Sequence, residues 1–584
     1  MDAHDIFKKL TRGTNLNLKK AIQVQHTKVL TTPVKNEPTS EESIQPSRID
    51  RGKKKLSKMR LAALKQEEVN HLRNQERISV TGPNIPDPLR TFEDLKSVYG
   101  LSTVLVDNLL HSGYTSPTPI QSQAIPLMLQ GRQLLACAPT GSGKTAAFLV
   151  PVFHHLGRPK HSGIRAVIVS PTRELARQTL RECQRLSEGT ALRCHLVKKA
   201  PTVARSSNQY AVPKCDLLIT TPNRLVYLLK QDPPAISLTS CLYSFSSSPS
   251  WAVRVDSARC RAATKKGVER GRARRATFSL YYDSVEWLVV DESDKLFESG
   301  AKGFRDQLAT IYNACDSTTL KRAMFSATST PDVARWARKN LTDLALVTVG
   351  HRNSAAEQVE QELLFVGSEA GKLVAFRNLV HQGLKPPVLV FVQSKERAKE
   401  LFTELIYEGI NVDVIHADRT QLQRDNVVRS FREGRIWVLI CTELMGRGID
   451  FKGVNLVVNY DFPSSAISYI HRIGTCFSAK TGRAGQPGKA ITFFTQDDSV
   501  NLRSIAYLVQ ESGGNIPEYM LGLKRPSKRT RRQLESHALQ RESISTTPSY
   551  QQDKERKQLA FRKKRRNHAP ETYSRKIKKP SGQN

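Results

Sequence analysis

Short apolar runs, about four to seven residues long, recur from about residue 90 onward, and longer stretches of helical composition separate them. Gln133–Cys137, Ala166–Ser170, Leu217–Thr220, Val285–Val290 and Ala323–Ser326 are the runs of the first half. Continuous apolar runs of this length fit strands buried on both faces, and a helix after each fits a crossover. The pattern predicts a parallel sheet covered by helices. It restarts between about 357 and 510 with Pro387–Val392, Asp413–His416, Trp437–Cys441, Leu456–Tyr460 and Lys489–Thr495. Two α/β units in tandem are therefore expected.

The flanks read differently. Residues 1–58 are polar, carry Pro33, Pro38 and Pro46 and the cluster Lys53-Lys54-Lys55, and are expected to be a mostly disordered basic arm. Residues 59–78 have helix-forming composition, after which Pro83, Pro86 and Pro88 break the chain. The C-terminal stretch 524–584 holds 19 Lys/Arg against 5 Asp/Glu, a net of +14, and is expected to be largely disordered. Its cluster Arg562-Lys563-Lys564-Arg565-Arg566 fits a nuclear address or an RNA-binding arm. The expected organisation is a basic extension (1–78), a first domain (79–352), a second domain (353–512) and a basic tail (524–584).

Length and composition narrow the function. The 584 residues are 39% hydrophobic, enough for two sizeable cores. Ninety Lys/Arg against 54 Asp/Glu give a net charge of +36, which argues for a polyanionic partner. A membrane surface is the weaker explanation. No basic helix carries Trp or Phe along one face, and no run of eighteen apolar residues exists. Nine cysteines without a C-x-x-C pair point to reduced thiols in the cytosol or nucleus. The opening residues lack a signal peptide's apolar stretch.

The candidate chemistry begins at 138–145, Ala-Pro-Thr-Gly-Ser-Gly-Lys-Thr, which fits G-x-x-x-x-G-K-[ST] with Ala138 at the first glycine. In such a loop successive backbone N–H groups cradle phosphate oxygens, so Pro139, Thr140, Gly141, Ser142 and Gly143 form the cradle. Lys144 reaches the β/γ-phosphates and the Thr145 hydroxyl ligates Mg²⁺. Asp291, after the apolar run Val285–Val290, would hold that Mg²⁺ through water, and Glu292 would orient the attacking water. Gln121 offers the donor and acceptor that reading an adenine edge requires, and Phe92 is placed to stack on the same base. Pro171-Thr172-Arg173-Glu174 and Thr221-Pro222-Asn223-Arg224 each follow a strand and open a helix, a setting suited to phosphate.

Further strings follow in fixed order: Ser326-Ala327-Thr328, Val390–Ser394, Gln421-Leu422-Gln423-Arg424, Cys441–Asp450 and Tyr469-Ile470-His471-Arg472-Ile473-Gly474. With Asp291-Glu292-Ser293-Asp294, this series resembles the DEAD-box RNA helicases of superfamily 2 across roughly residues 90–510. The opening ten residues and Glu362–Glu369 are similar to a nucleolar branch associated with making the small ribosomal subunit.

The resemblance implies an α/β fold of two tandem RecA-like parallel-sheet domains, with ATP between them and RNA across both. It implies an RNA-dependent ATPase, a monomer, with ATP and Mg²⁺ as cofactors, pre-ribosomal RNA and ribosome-assembly proteins as partners, and a nuclear, nucleolar location. By position, Asp294, Ser326, Thr328 and His471 would couple nucleotide to RNA. Thr172, Arg173, Thr221, Arg224, Gln421, Arg424 and Thr442 would hold the RNA backbone, and Asp450 would meet the ribose. Contacts of this kind read phosphate and 2′-OH, so weak sequence preference is expected of the core.

Two departures stand out. Arg224 and Asp291 lie 67 residues apart, and the extra material, about 241–284, carries 9 Lys/Arg against 3 acidic residues. It reads as an RNA-binding insertion, or as translated intronic sequence or an unusual splice form. The family pattern H-R-I-G-R-x-G-R is interrupted after Gly474 by Thr475–Lys480, before Thr481-Gly482-Arg483. Arg483 and the missing Arg would act on the γ-phosphate, and such a finger contributes about 10³–10⁵ in rate. Slow turnover is expected of the chain as written, with an RNA-binding assembly factor carrying a crippled ATPase as the alternative.

Overall fold

The computed structural model describes residues 58–160, 163–197, 214–231, 236, 238, 242–243, 280–281, 285–298, 303–315, 317, 319–350, 359–443, 451, 453–475, 488–525, 527, 529–530 and 539–544. Residues 63–584 form one compact unit, and every contact below lies within it. In chain order the strands of the first region are β1 (Ile78–Thr81), β2 (Gln133–Cys137), β3 (Ala166–Val169), β4 (Cys194–Leu196), β5 (Leu217–Thr220), β6 (Leu242–Tyr243), β7 (Leu280–Tyr281), β8 (Trp287–Val290), β9 (Lys321–Ser326) and β10 (Leu344–Val349). The second region has β11 (Val359–Phe365), β12 (Val388–Val392), β13 (Val412–Ile415), β14 (Val438–Thr442), β15 (Leu456–Asn459) and β16 (Gly488–Phe494).

Eight strands make the first sheet in the order β1-β10-β2-β9-β8-β3-β5-β4, and six make the second in the order β11-β16-β15-β12-β14-β13. All pairings within these two sheets are parallel except β1 with β10. The central strands are apolar throughout because both faces are covered. Along β3, Ala166 and Ile168 enter one core with Phe148 and Phe325, while Val167 and Val169 enter another with Leu218 and Met324. The second sheet repeats this. Leu389 and Phe391 of β12 face one cluster, and Val388, Val390 and Val392 face the other. Burial of this extent on both faces of each sheet is the main stabilising term.

Three of the strands, β3, β12 and β13, hand over to a helix whose start is capped by a short polar side chain. The Thr172 hydroxyl accepts from Leu175 N at 3.3 Å, Ser394 from Arg397 N at 3.2 Å and Thr420 from Gln423 N at 3.3 Å. These turns sit beyond the C-terminal ends of the strands, where ligands of open parallel sheets bind.

The structure adjusts several expectations. The N-terminal helix runs Lys58–Gln75, and Ile78–Thr81 is a strand in register with β10 (Ile78↔Val349), so the first sheet begins at the edge of the expected extension. Of the inserted stretch 241–284, β6 and β7 are described, and they pair antiparallel (Leu242↔Tyr281, Tyr243↔Leu280). Residues 244–279 lie outside the described residues, as do the basic arm 1–57 and the tail beyond 544. Residues 539–544 correct the picture of the tail. Ile544 is buried in the second region's core, and Arg541 is enclosed by carboxylates. A basic sequence without periodicity still packs where it supplies the cation that a buried acidic cluster lacks.

Candidate active site

The phosphate loop runs from the end of β2 into the helix Lys144–Leu156. Gly143 caps that helix at φ 87°, in the left-handed region, and a Cβ there would stand 2.5 Å from Gln121 Nε2. Glycine is therefore required at 143 by both backbone and space. Gly141 is also left-handed, at φ 75°. Ala138 is buried, and its N–H donates to Ser326 O at 3.1 Å, tying the loop to the end of β9. Lys144 Nζ donates to Ala138 O at 2.8 Å and to Pro139 O at 2.9 Å. Burial lowers the Lys144 pKa, opposed by the charges of Asp291, Glu292 and Asp294. An ammonium held by its own loop's carbonyls can exchange them for phosphate oxygens at small structural cost.

Gln121 is fully buried beside the loop. Its Oε1 accepts from Thr118 N and its Nε2 donates to Gly143 O, both at 3.0 Å, while the Thr118 hydroxyl donates to Ser142 O at 2.7 Å. In this conformation the amide braces the phosphate loop, and reading a base requires exchanging those bonds. Phe92 packs in the core at 2% exposure, so almost none of its ring is offered to a base. The expected stack gives way to a packing role here, because the aromatic ring buries more area in the core than at the surface.

Asp291 and Glu292 follow β8 and are buried. Burial, reinforced by the Glu292 charge and opposed by Lys144, raises the Asp291 carboxyl to about 7. Glu292 adopts φ 50°, an uncommon setting for a non-glycine residue and one concentrated at functional turns. Thr145 and Asp291 fit a Mg²⁺ site. The donors are oxygens, and a carboxylate destabilised by burial beside another carboxylate gains most from a nearby divalent cation. The cation would supply charge neutralisation at the phosphates, and Thr145 and Asp291 are the residues that would hold it.

A second group closes the seam between the two sheets. Asp294 Oδ2 accepts from the Thr328 hydroxyl at 2.5 Å and from His471 Nε2 at 2.7 Å, and all three residues are buried. An ionised carboxylate can only accept, so Nε2 carries the proton. Ser326 holds Thr328 in place, donating to Thr328 O at 2.8 Å and accepting from Thr328 N at 3.1 Å. Beside this, the Thr140 hydroxyl donates to Gly474 O at 3.0 Å, and a Cβ at 474 would fall 2.1 Å from that hydroxyl. The four expected coupling residues are thus one connected network.

The third group gathers arginines. Burial and the charges of Arg177, Arg424 and Arg224 lower the Arg173 pKa, with Glu174 opposing. Gln421 Nε2 donates to Glu174 Oε1 at 3.0 Å, and Arg424 lies 3.4 Å from the same carboxylate. Arg177 pairs with Asp425 across the same seam. Thr172 caps the helix that carries Arg173, and Thr221 occupies the N-cap position of the helix that carries Arg224. Thr442 ends β14 in register with Val392 of β12. Asp450 and Arg483 lie outside the described residues, as do Cys476–Lys480 of the interrupting segment. Sequence reasoning missed Thr118, Arg177, Asp425 and Gly474. Thr118 had a signal, a threonine three residues before Gln121 at a helix start. The others depend on contacts between distant segments.

Residues 118–243 match the DEAD/DEAH box helicase family, and residues 371–485 match the helicase conserved C-terminal domain. Over 524 residues the chain is 53% identical to the "probable ATP-dependent RNA helicase DDX52" of Bos taurus, covering 89% of this chain and 80% of that protein. The chain belongs to the DEAD-box RNA helicase family. It is also 38% identical over 507 residues to the ATP-dependent RNA helicase ROK1 of Eremothecium gossypii, with 84% of this chain and 79% of that protein covered. Among solved structures, S. cerevisiae Dbp5 bound to RNA and ADP BeF3 matches with a TM-score of 0.56 and 26% identity, over 72% of this chain and 94% of that one. The two sheets are accordingly the two RecA-like domains of a DEAD-box protein, and Asp291-Glu292-Ser293-Asp294 is its acidic motif.

Proposed function

We propose that this chain is an RNA-dependent ATPase that unwinds or remodels RNA locally, in ribosomal RNA processing and assembly of the small ribosomal subunit, in the nucleolus, together with ribosome-assembly proteins. The observation that carries the activity is the buried Asp294–His471 hydrogen bond. It links the turn after the candidate catalytic carboxylates to the second domain, so whatever moves one is felt by the other. Family membership supports the same reading. The ribosomal and nucleolar parts rest on the resemblance and on the charge of +36.

The roles follow the geometry. Lys144 and the loop backbone hold the β- and γ-phosphates, and Glu292 orients water for attack. Thr145 and Asp291 would hold Mg²⁺, which would neutralise charge at the phosphates. Arg173, Arg224 and Arg424 take RNA phosphates, with Arg424 exchanging part of its pairing with Glu174 for the ligand. Both ligands favour the closed seam, so each raises the population of the state that binds the other. Closure bends one strand and expels its partner.

ATP-dependent displacement of a short RNA duplex, compared with the Glu292→Gln variant, tests this. Displacement by the wild type and none by the variant is expected; equal displacement would refute the assignment. The segment Thr475–Lys480 favours a second reading, an RNA-binding assembly factor with little turnover, which strand displacement by the wild type would exclude.

A further inference from the structure

We propose that residues 539–544 are a clasp that completes the second RecA-like domain and fixes, at its RNA-binding edge, the point to which the basic sequence after Ile544 is attached. The matched C-terminal domain ends at 485, so the clasp lies more than fifty residues beyond it. This inference rests on the RNA-remodelling reading above.

Charge balance shows why the clasp is held. Asp461, Asp498 and Glu369 form an acidic cluster in which the two aspartates are fully buried. The domain proper supplies two cations. Arg397 forks onto Asp461 at 2.7 and 2.8 Å, and Lys372 lies 3.2 Å from Asp461 and 2.8 Å from Glu369. Three carboxylates against two cations leave one negative charge without a counterpart. Arg541 provides it, with Nη1 2.7 Å from Glu369 and Nη2 2.8 Å from Asp498, its side chain only 4% exposed. A planar guanidinium suits a site that asks for two carboxylates at once.

The neighbours of Arg541 fasten the backbone as well. Gln393 Nε2 donates to Leu539 O at 2.6 Å, and Gln393 Oε1 accepts from Arg541 Nε at 2.8 Å. Arg397 donates to Glu542 O, and Ile544 N donates to Glu400 Oε2 at 2.9 Å while its side chain enters the core.

The position gives the clasp its use. Gln393 follows Val392, which is paired in register with Thr442, one of the residues expected to hold RNA. The anchor therefore sits at the same strand ends as that contact. Directly after Ile544 come forty residues with 12 Lys/Arg against 3 Asp/Glu, a net of +9. A polycation tethered at the site acts at high effective concentration, and it releases counterions from the RNA already bound there.

The test uses the full-length chain with Arg541→Ala and Arg541→Lys. Hydrogen exchange reports the Ile544 amide, and titration of a fluorescent single-stranded RNA at several salt concentrations reports binding. Arg541→Ala should speed exchange at Ile544 by about tenfold or more. It should weaken RNA binding about tenfold at low salt and flatten the salt dependence. Arg541→Lys keeps the charge count and should fall between wild type and Arg541→Ala in both readouts, which guards against simple unfolding. An Ile544 amide that exchanges equally fast in wild type and Arg541→Ala overturns the clasp. Faster exchange with unchanged RNA affinity and salt slope overturns its role in RNA binding. A wild-type chain that binds no RNA at any salt sinks the parent reading, a failure recognisable in the unmutated protein.

Discussion

His471→Ala removes one side chain and tests the coupling between domains. Among its partners, Asp294 accepts from the Thr328 hydroxyl at 2.5 Å, the Lys295 amide at 2.8 Å and His471 Nε2 at 2.7 Å. Two belong to the first domain and survive the substitution. The third crosses the seam and exists only while the domains are closed. A hydrogen bond to a charged group contributes about 1.5–3 kcal/mol, and its buried acceptor has no water to replace it. Closure should therefore weaken by about 10- to 150-fold. ATP affinity in the absence of RNA should change little, because the loop, Gln121 and Lys144 lie in the first domain. RNA-stimulated turnover should fall by about the same factor as closure, and so should the mutual strengthening of RNA and ATP-analogue binding. Thermal unfolding should shift by far less, since the open form keeps both cores. The assay is RNA affinity with and without a non-hydrolysable ATP analogue, alongside steady-state turnover. Undiminished coupling in His471→Ala would show that the bond to Asp294 is incidental.

Other outcomes can be checked directly. Lys144→Ala should abolish ATP turnover, because the phosphates lose their ammonium partner, and normal RNA-stimulated hydrolysis by this variant would refute the site. Replacing Thr475–Lys480 with a single Arg should raise single-turnover hydrolysis by orders of magnitude with little change in ATP affinity, as for an interaction made mainly in the transition state. Equal rates would mean that the segment is harmless. Lys372, Arg397 and Arg541 hold the Asp461 carboxyl well below the usual carboxylate range despite burial. A depressed folded pKa means that this stabilisation is complete above about pH 4 and is lost as pH falls through the folded value. Asp461→Asn should cost about 3–5 kcal/mol near neutrality, and the gap to wild type should narrow below pH 4 in melting experiments. A chain ending at 544 should melt like the full chain, whereas one ending at 524 should melt at lower temperature; equal melting of the two would remove the clasp from the domain's structure.

The central strands were legible because burial on both faces writes them as unbroken apolar runs. Gln133–Cys137 and Leu217–Thr220 appear with the expected limits, and the others differ by one or two residues. Of the outer strands β13 was legible, and β1, β4 and β11 were not. β11 alternates, with Val359 and Gln361 buried and Glu360 and Glu362 outside, and β1 and β4 are only four and three residues long. The phosphate loop and the acidic turn were readable because their chemistry sits in one short stretch. Arg177 with Asp425, and Thr140 with Gly474, were not, since each pair joins segments far apart in sequence. Arg541 is the extreme case. One arginine among 19 basic residues of a polar stretch carries no local mark, and only the buried carboxylates of the folded domain distinguish it.

The most direct measurement is ATP hydrolysis by the full-length chain, with and without single-stranded RNA, beside Lys144→Ala and the form in which Arg replaces Thr475–Lys480. Turnover that rises on adding RNA, rises further when the arginine is restored and vanishes in Lys144→Ala is the predicted result. No RNA-stimulated turnover in either the natural or the arginine-restored chain, or turnover that persists in Lys144→Ala, would contradict it.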